Sequence, residues 1–124
     1  MNFMEEAVNE AKKGVASNHG GPFGAVIVKD GYVIAADHNH VTSTNDPTAH
    51  AEVSCIRKAC TKLGTWKLEG CEIYCSCEPC PMCFGAIYWA GITKIYYGCT
   101  SEDAAKVGFA DKDIYLSIQG KAEH

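Results

Sequence analysis

Ile73-Tyr74-Cys75-Ser76-Cys77-Glu78-Pro79-Cys80-Pro81-Met82-Cys83-Phe84-Gly85-Ala86-Ile87-Tyr88-Trp89-Ala90 changes character once along its length. Ile73 to Ser76 is short and apolar and reads as a buried strand. Pro81 stands where a first helical turn tolerates a missing N–H, and Phe84 to Ala90 continue that helix. The spacing therefore predicts a strand that feeds directly into a helix. Cysteines crowd the junction, with Cys71, Cys75, Cys77, Cys80 and Cys83 inside thirteen residues.

Working outward, Ile92 to Tyr97 reads as a further strand after Gly91, and Ser101 to Val107 as a short helical stretch. On the N-terminal side, Asp46-Pro47-Thr48 introduces a helical stripe of Val53, Ile56, Ala59 and Leu63. This helix is expected to begin near Ala49 and to stop at Gly64. Two β-rich runs, Phe23 to Val28 and Tyr32 to Ala36, meet at Asp30-Gly31, a pair suited to the positive φ angles of a tight antiparallel hairpin. Phe3, Ala7, Val8, Ala11 and Val15 follow helical spacing, and Asn2 with Glu5 forms an N-terminal capping pattern. A hairpin followed by alternating helices and strands predicts an α/β fold, a three-layer α/β/α sandwich on a mixed central sheet.

The 124 residues amount to about one domain, with no internal repeat or linker-like shift in composition. An apolar fraction of 47% with 21% charged residues excludes a disordered chain, and no apolar run approaches a membrane span. Glu5, Glu6 and Glu10 in the first residues do not make a secretory signal, so a cytoplasmic location is expected. Eight cysteines in that compartment are expected to be reduced thiols serving a metal or catalysis rather than a disulfide framework. The net charge of −4 and a single arginine, Arg57, argue against a polyanionic partner.

His50-Ala51-Glu52 and Pro79-Cys80-Pro81-Met82-Cys83 both fall at expected helix starts. Helix N-termini lower thiolate pKa values, and Cys-x-x-Cys lets two sulfurs reach one tetrahedral ion within a helical turn. His50, Cys80 and Cys83 are thus three candidate zinc ligands, which leaves a fourth position for water. Glu52 lies two residues from His50, placed to take a proton rather than to ligate. Cys-x-x-Cys alone fits a structural zinc knuckle equally well. Cys77 also pairs with Cys80 at this spacing, but Cys83 lies one helical turn from Cys80 and is the better partner. Cys55, Cys60, Cys71, Cys75 and Cys99 read as buried small apolar residues, and His19, His38 and His40 as loop or surface histidines.

With these motifs the chain resembles the cytidine and nucleobase deaminase superfamily, and within it the bacterial guanine deaminases. The resemblance runs from Gly20-Gly21-Pro22-Phe23-Gly24-Ala25-Val26 through Asn45-Asp46-Pro47-Thr48-Ala49-His50-Ala51-Glu52 to Ser76-Cys77-Glu78-Pro79-Cys80-Pro81-Met82-Cys83 and Gly85-Ala86-Ile87-Tyr88-Trp89-Ala90. It implies zinc on His50, Cys80 and Cys83, and Glu52 as the proton shuttle of a hydrolytic deamination. It further implies Asn39 as a hydrogen-bond partner of a free base, Phe23 and Phe109 as its walls, Trp89 near the pocket, and Asp111 as a second catalytic residue. Read from composition alone, Asn39 is a turn residue, Asp111 a helix cap, and the aromatics core residues. The expected activity is conversion of guanine to xanthine and ammonia, with no membrane or nucleic-acid partner. The alternatives are a cytosine or tRNA adenosine deaminase and a zinc-stabilised interaction module. Residues 1–124 form one deaminase domain on this reading, ending at His124 before the family's C-terminal segment, and a homodimer is expected.

Overall fold

The computed structural model describes residues 2–99. Helix α1 (Phe3–Ala16) begins at Asn2, whose side-chain oxygen accepts the amides of Met4 at 2.8 Å and Glu5 at 3.4 Å. Strands β1 (Gly24–Lys29) and β2 (Tyr32–His38) form the hairpin, and its turn places Asp30 at φ 52° and Gly31 at φ 79°. Both angles are positive, as a two-residue turn matched to strand twist requires. A four-residue helix, α2 (Val41–Thr44), follows; the sequence reading contains no counterpart to it.

Helix α3 (Ala51–Leu63) starts two residues later than Ala49 and ends with Gly64 at φ 69°, the left-handed cap expected there. Strand β3 (Cys71–Cys75), helix α4 (Pro81–Trp89) and strand β4 (Lys94–Tyr97) complete the order. Ser101 to Val107 lies outside the described residues.

The sheet order is β2-β1-β3-β4, with β1 antiparallel to both neighbours and β3 parallel to β4. Alternation along β1 builds the layers. Ala25 and Ile27 join Ala51, Cys55 and Ala59 of α3, Ile73 of β3 and Ile87 of α4 in the larger core. Val26 and Val28 turn the other way, onto Ala7 and Phe3 of α1. The mixed sheet is thus covered on both faces, as expected for an α/β/α sandwich. Each fully buried Ile or Leu here contributes roughly 1.5–3 kcal/mol. The small residues of α3 let its axis lie close to the strands, which fixes where its first turn ends up.

Gly24 meets α1 backbone to backbone: a Cβ there would lie 2.1 Å from the Ala7 carbonyl oxygen and 2.6 Å from the Ala11 nitrogen. Neither atom can turn away, so Gly24→Ala is expected to lower unfolding stability by about 2–3 kcal/mol in urea titration, the upper range for overpacking. Unchanged stability would contradict this packing.

Candidate active site

The segment between α2 and α3 ties itself down before delivering His50. Asp46 Oδ1 accepts the Thr48 amide at 2.9 Å and the Thr48 hydroxyl at 2.6 Å, and the His40 amide bonds the Ala49 carbonyl at 2.9 Å. His50 is then the N-cap of α3, with extended backbone and no side-chain capping bond. Cys80 occupies the same position on α4, again without a side-chain cap, and Pro81 follows as the first helical residue. An ordinary Ser, Thr or Asp cap is worth about 1 kcal/mol. Both helices forgo it because the capping side chains are turned toward each other.

The sulfurs of Cys80 and Cys83 each lie 3.5 Å from His50 Nδ1, and all three donor atoms lie within 4.8 Å of one another. A tetrahedral zinc with bonds of ~2.3 Å to sulfur and ~2.05 Å to nitrogen separates those donors by ~3.5 Å. Two soft sulfurs and one imidazole at that spacing fit zinc by chemistry and by size. The two thiols share a proton: Cys80 is brought down to about 4, chiefly by its hydrogen bond with Cys83, while that bond and burial push Cys83 up. His50 is raised, first by its bond to Cys80.

Glu52 is the second residue of α3 and only 8% exposed. Burial pushes its carboxyl up to about 7, against the pull of its own backbone amide, and the side chain also meets Cys83. A carboxyl poised there holds or releases a proton near neutral pH, the requirement for a general acid and base in turn.

Of the expected base contacts, Asn39 is buried and its amide bonds the Phe23 carbonyl at 3.1 Å, so these two are neighbours. Asn39 Oδ1 accepts the Val41 amide at 2.9 Å, making the local turn as well. Phe23 is partly buried against the larger core. Trp89 is the last residue of α4 and 75% exposed, about 9 Å along the axis from Cys83. It is not a core aromatic. Phe109 and Asp111 lie outside the described residues.

Three readings need correction. Cys77 and Cys99 form a disulfide with Cα atoms 4.4 Å apart, so the thiols are not all reduced, and Cys77 is removed from contention as a ligand. The loop carrying Cys77 and the end of β4 are already drawn together, with the Glu78 amide on the Cys99 carbonyl at 2.6 Å and the Cys99 amide on the Ser76 carbonyl at 3.2 Å. Cys55, Cys71 and Cys75 are buried as expected, whereas Cys60 and Cys99 are only half-buried. His19 and His40 lie on loops as expected, but His38 ends β2 at 5% exposure, and the three rings pack together. Their spacing in sequence gives no signal of this, because a loop and a strand end bring them together.

Residues 1–99 match the cytidine and deoxycytidylate deaminase zinc-binding region, and the chain belongs to that family of zinc-binding deaminases. Within it, the chain is 56% identical over 121 residues to guanine deaminase of Bacillus subtilis, covering 98% of this chain and 78% of that relative. The X-ray structure of Bacillus subtilis guanine deaminase superposes with a TM-score of 0.90 at 57% identity, covering 93% of this chain and 75% of that one. A tRNA-specific adenosine deaminase of Bacillus subtilis is 44% identical over 77% of this chain and 59% of its own length.

Two outcomes test this geometry. Cobalt-substituted protein is expected to show thiolate-to-cobalt absorption that Cys83→Ala abolishes; retention of the band would remove Cys83 from the ligand set. In chelator-treated protein, Glu52 has its folded pKa above the usual 4.5, so its stabilising contribution is full below that value and is lost as pH rises through about 7. Relative to Glu52→Gln, wild type should therefore lose about 2–3 kcal/mol between pH 5 and 8, read by urea unfolding, since the titration of Cys80 is common to both proteins. Parallel curves for the two proteins would contradict the burial argument.

Proposed function

We propose that this chain hydrolyses the exocyclic amino group of free guanine, giving xanthine and ammonia. The observation that carries the reading is a buried carboxyl, Glu52, set against three, not four, candidate zinc donors among the described residues. Zinc held by His50, Cys80 and Cys83 supplies Lewis acidity, which brings the pKa of a water toward neutrality. Glu52 accepts the proton of the attacking water and returns it to the ring nitrogen beside the amino-bearing carbon. A second transfer through the same carboxyl makes ammonia the leaving group, so one residue serves as base and then acid. A site that only held the fold would have no use for this carboxyl.

Asn39 and Phe23 are the proposed contacts to the base from this part of the chain, joined to each other through the backbone. Trp89 is proposed as an outer wall, Phe109 as a second stacking surface and Asp111 as a partner in proton transfer to the departing amine, all three on the family resemblance. A free base suits the charge better than RNA does, since the lone Arg57 guanidinium already faces Asp46 at 3.5 Å. Six of the eight cysteines are free and two of these are needed as metal ligands, which suits a reducing cytoplasm; the Cys77–Cys99 disulfide is the exception. No helix among the described residues is long and apolar enough to cross a membrane. Exposed Phe84, Tyr88 and Trp89 on α4 support a homodimer through that helix.

Ammonia release is to be measured with guanine, guanosine, cytosine, cytidine, adenine and an adenosine-containing RNA hairpin. Guanine turnover is expected, with Glu52→Gln lowering it roughly 10²–10⁴-fold at unchanged zinc content. Turnover of the hairpin in place of guanine would overturn the substrate, and an active Glu52→Gln the shuttle. Light scattering is expected to show a dimer; a monomer at micromolar concentration would contradict the interface.

A further inference from the structure

We propose that His19, His38 and His40 form a second site for a late first-row divalent cation such as zinc, separate from the Cys80–Cys83 centre. One ring nitrogen of each histidine lies within 4.8 Å of those of the other two. The rings pack with centroids 4.4 Å apart for His38 and His40 and 5.0 Å for the pairs involving His19. Three imidazoles this close bring several ring nitrogens to one place, and a shared cation is a partner that such a donor set accepts readily.

Carboxylates set the tautomers. His38 Nδ1 donates to Glu10 Oε1 at 3.0 Å, which leaves its Nε2 as a lone pair. His40 Nε2 donates to Asp37 Oδ1 at 2.7 Å, which leaves its Nδ1. This is the carboxylate–histidine arrangement that orients metal ligands and raises their basicity. The lone pair on His38 Nε2 currently accepts from His19 Nδ1 at 2.7 Å. Two nitrogens on one tetrahedral zinc stand ~3.3 Å apart, so the rings need separate only slightly for an ion to replace that proton.

The surroundings hold these groups in place. His38 fits against Gly14 of α1, where a Cβ would lie 2.6 Å from the imidazole Cδ2. The His19 carbonyl accepts both the Ser43 amide at 3.1 Å and the Thr42 hydroxyl at 2.9 Å, and the His19 amide bonds the Gly14 carbonyl at 2.9 Å. The two carboxylates also face Lys13 at 4.0 Å and Lys58 at 3.5 Å, both on exposed stems that leave the histidine side clear. His40 also lines a shallow depression with Asp37, Asp46 and Arg57. An ion there would pin the loop after α1 to the end of β2, the strand end that carries Asn39.

The test uses the untagged full chain equilibrated with zinc buffered at micromolar free concentration, and reads metal per chain by elemental analysis. Wild type is expected to hold two zinc ions. His19→Asn, on a half-buried loop, and His40→Gln are each expected to hold one and to keep the thiolate-to-cobalt band on cobalt substitution. Cys83→Ala is expected to hold one without that band, and its melting temperature should rise on zinc addition; adding His19→Asn to it should abolish the rise. One zinc per chain in wild type, or two in either histidine variant, would overturn the site.

Discussion

The first turns of α3 and α4 end side by side, with His50 Nδ1 3.5 Å from both Cys80 Sγ and Cys83 Sγ. Nearly everything else in the structure serves this approach. Both helices lie on one face of the sheet, in one core with Ile27 and Ile73, and both begin at a residue whose side chain is turned away from capping. Two positive helix ends and their unpaired amides would repel without something negative between them. Thiolate on Cys80 supplies part of that charge, favoured chiefly by its hydrogen bond with Cys83 and then by His50.

Glu52 is governed by a different balance. Its place in the first turn of α3 favours the ionised form, but burial behind Cys83 is the larger effect and lifts the carboxyl to about 7. The same burial that costs stability suits the proposed proton shuttle, because a carboxyl near 7 is better matched to neutral pH than a solvated glutamate. The core pays for this locally with small side chains: Ala51, Cys55 and Ala59 keep α3 close to the strands, so its first turn cannot drift from β3 and α4.

Much of the fold was legible because local rules and tertiary demand agree. Asn2 caps α1, Asp30-Gly31 turns the hairpin, Gly64 stops α3 and Pro81 opens α4, each where elementary backbone chemistry places it. The grouping of His50, Cys80 and Cys83 with Glu52 was legible for a related reason, since Cys-x-x-Cys and His-x-Glu encode their geometry within single helical turns. The start of α3 and the short helix α2 were less so. Residues 39–49 take their path from hydrogen bonds such as Asp46 with Thr48 and His40 with Ala49, which no hydrophobic period announces.

The chain by itself determined the order of elements apart from α2, the donor types and the carboxyl that accompanies them. Only the tertiary structure decided which distant groups share space: Cys77 with Cys99, Asn39 with Phe23, and His19 with His38 and His40. The physical reason is that spacing within one helix or turn fixes a distance, whereas these partners sit on separate elements whose separation is set by sheet order and by the depth of packing. Gly14 and Gly24 show how fine that control is, since one added methyl at either position would collide with a neighbouring ring or backbone.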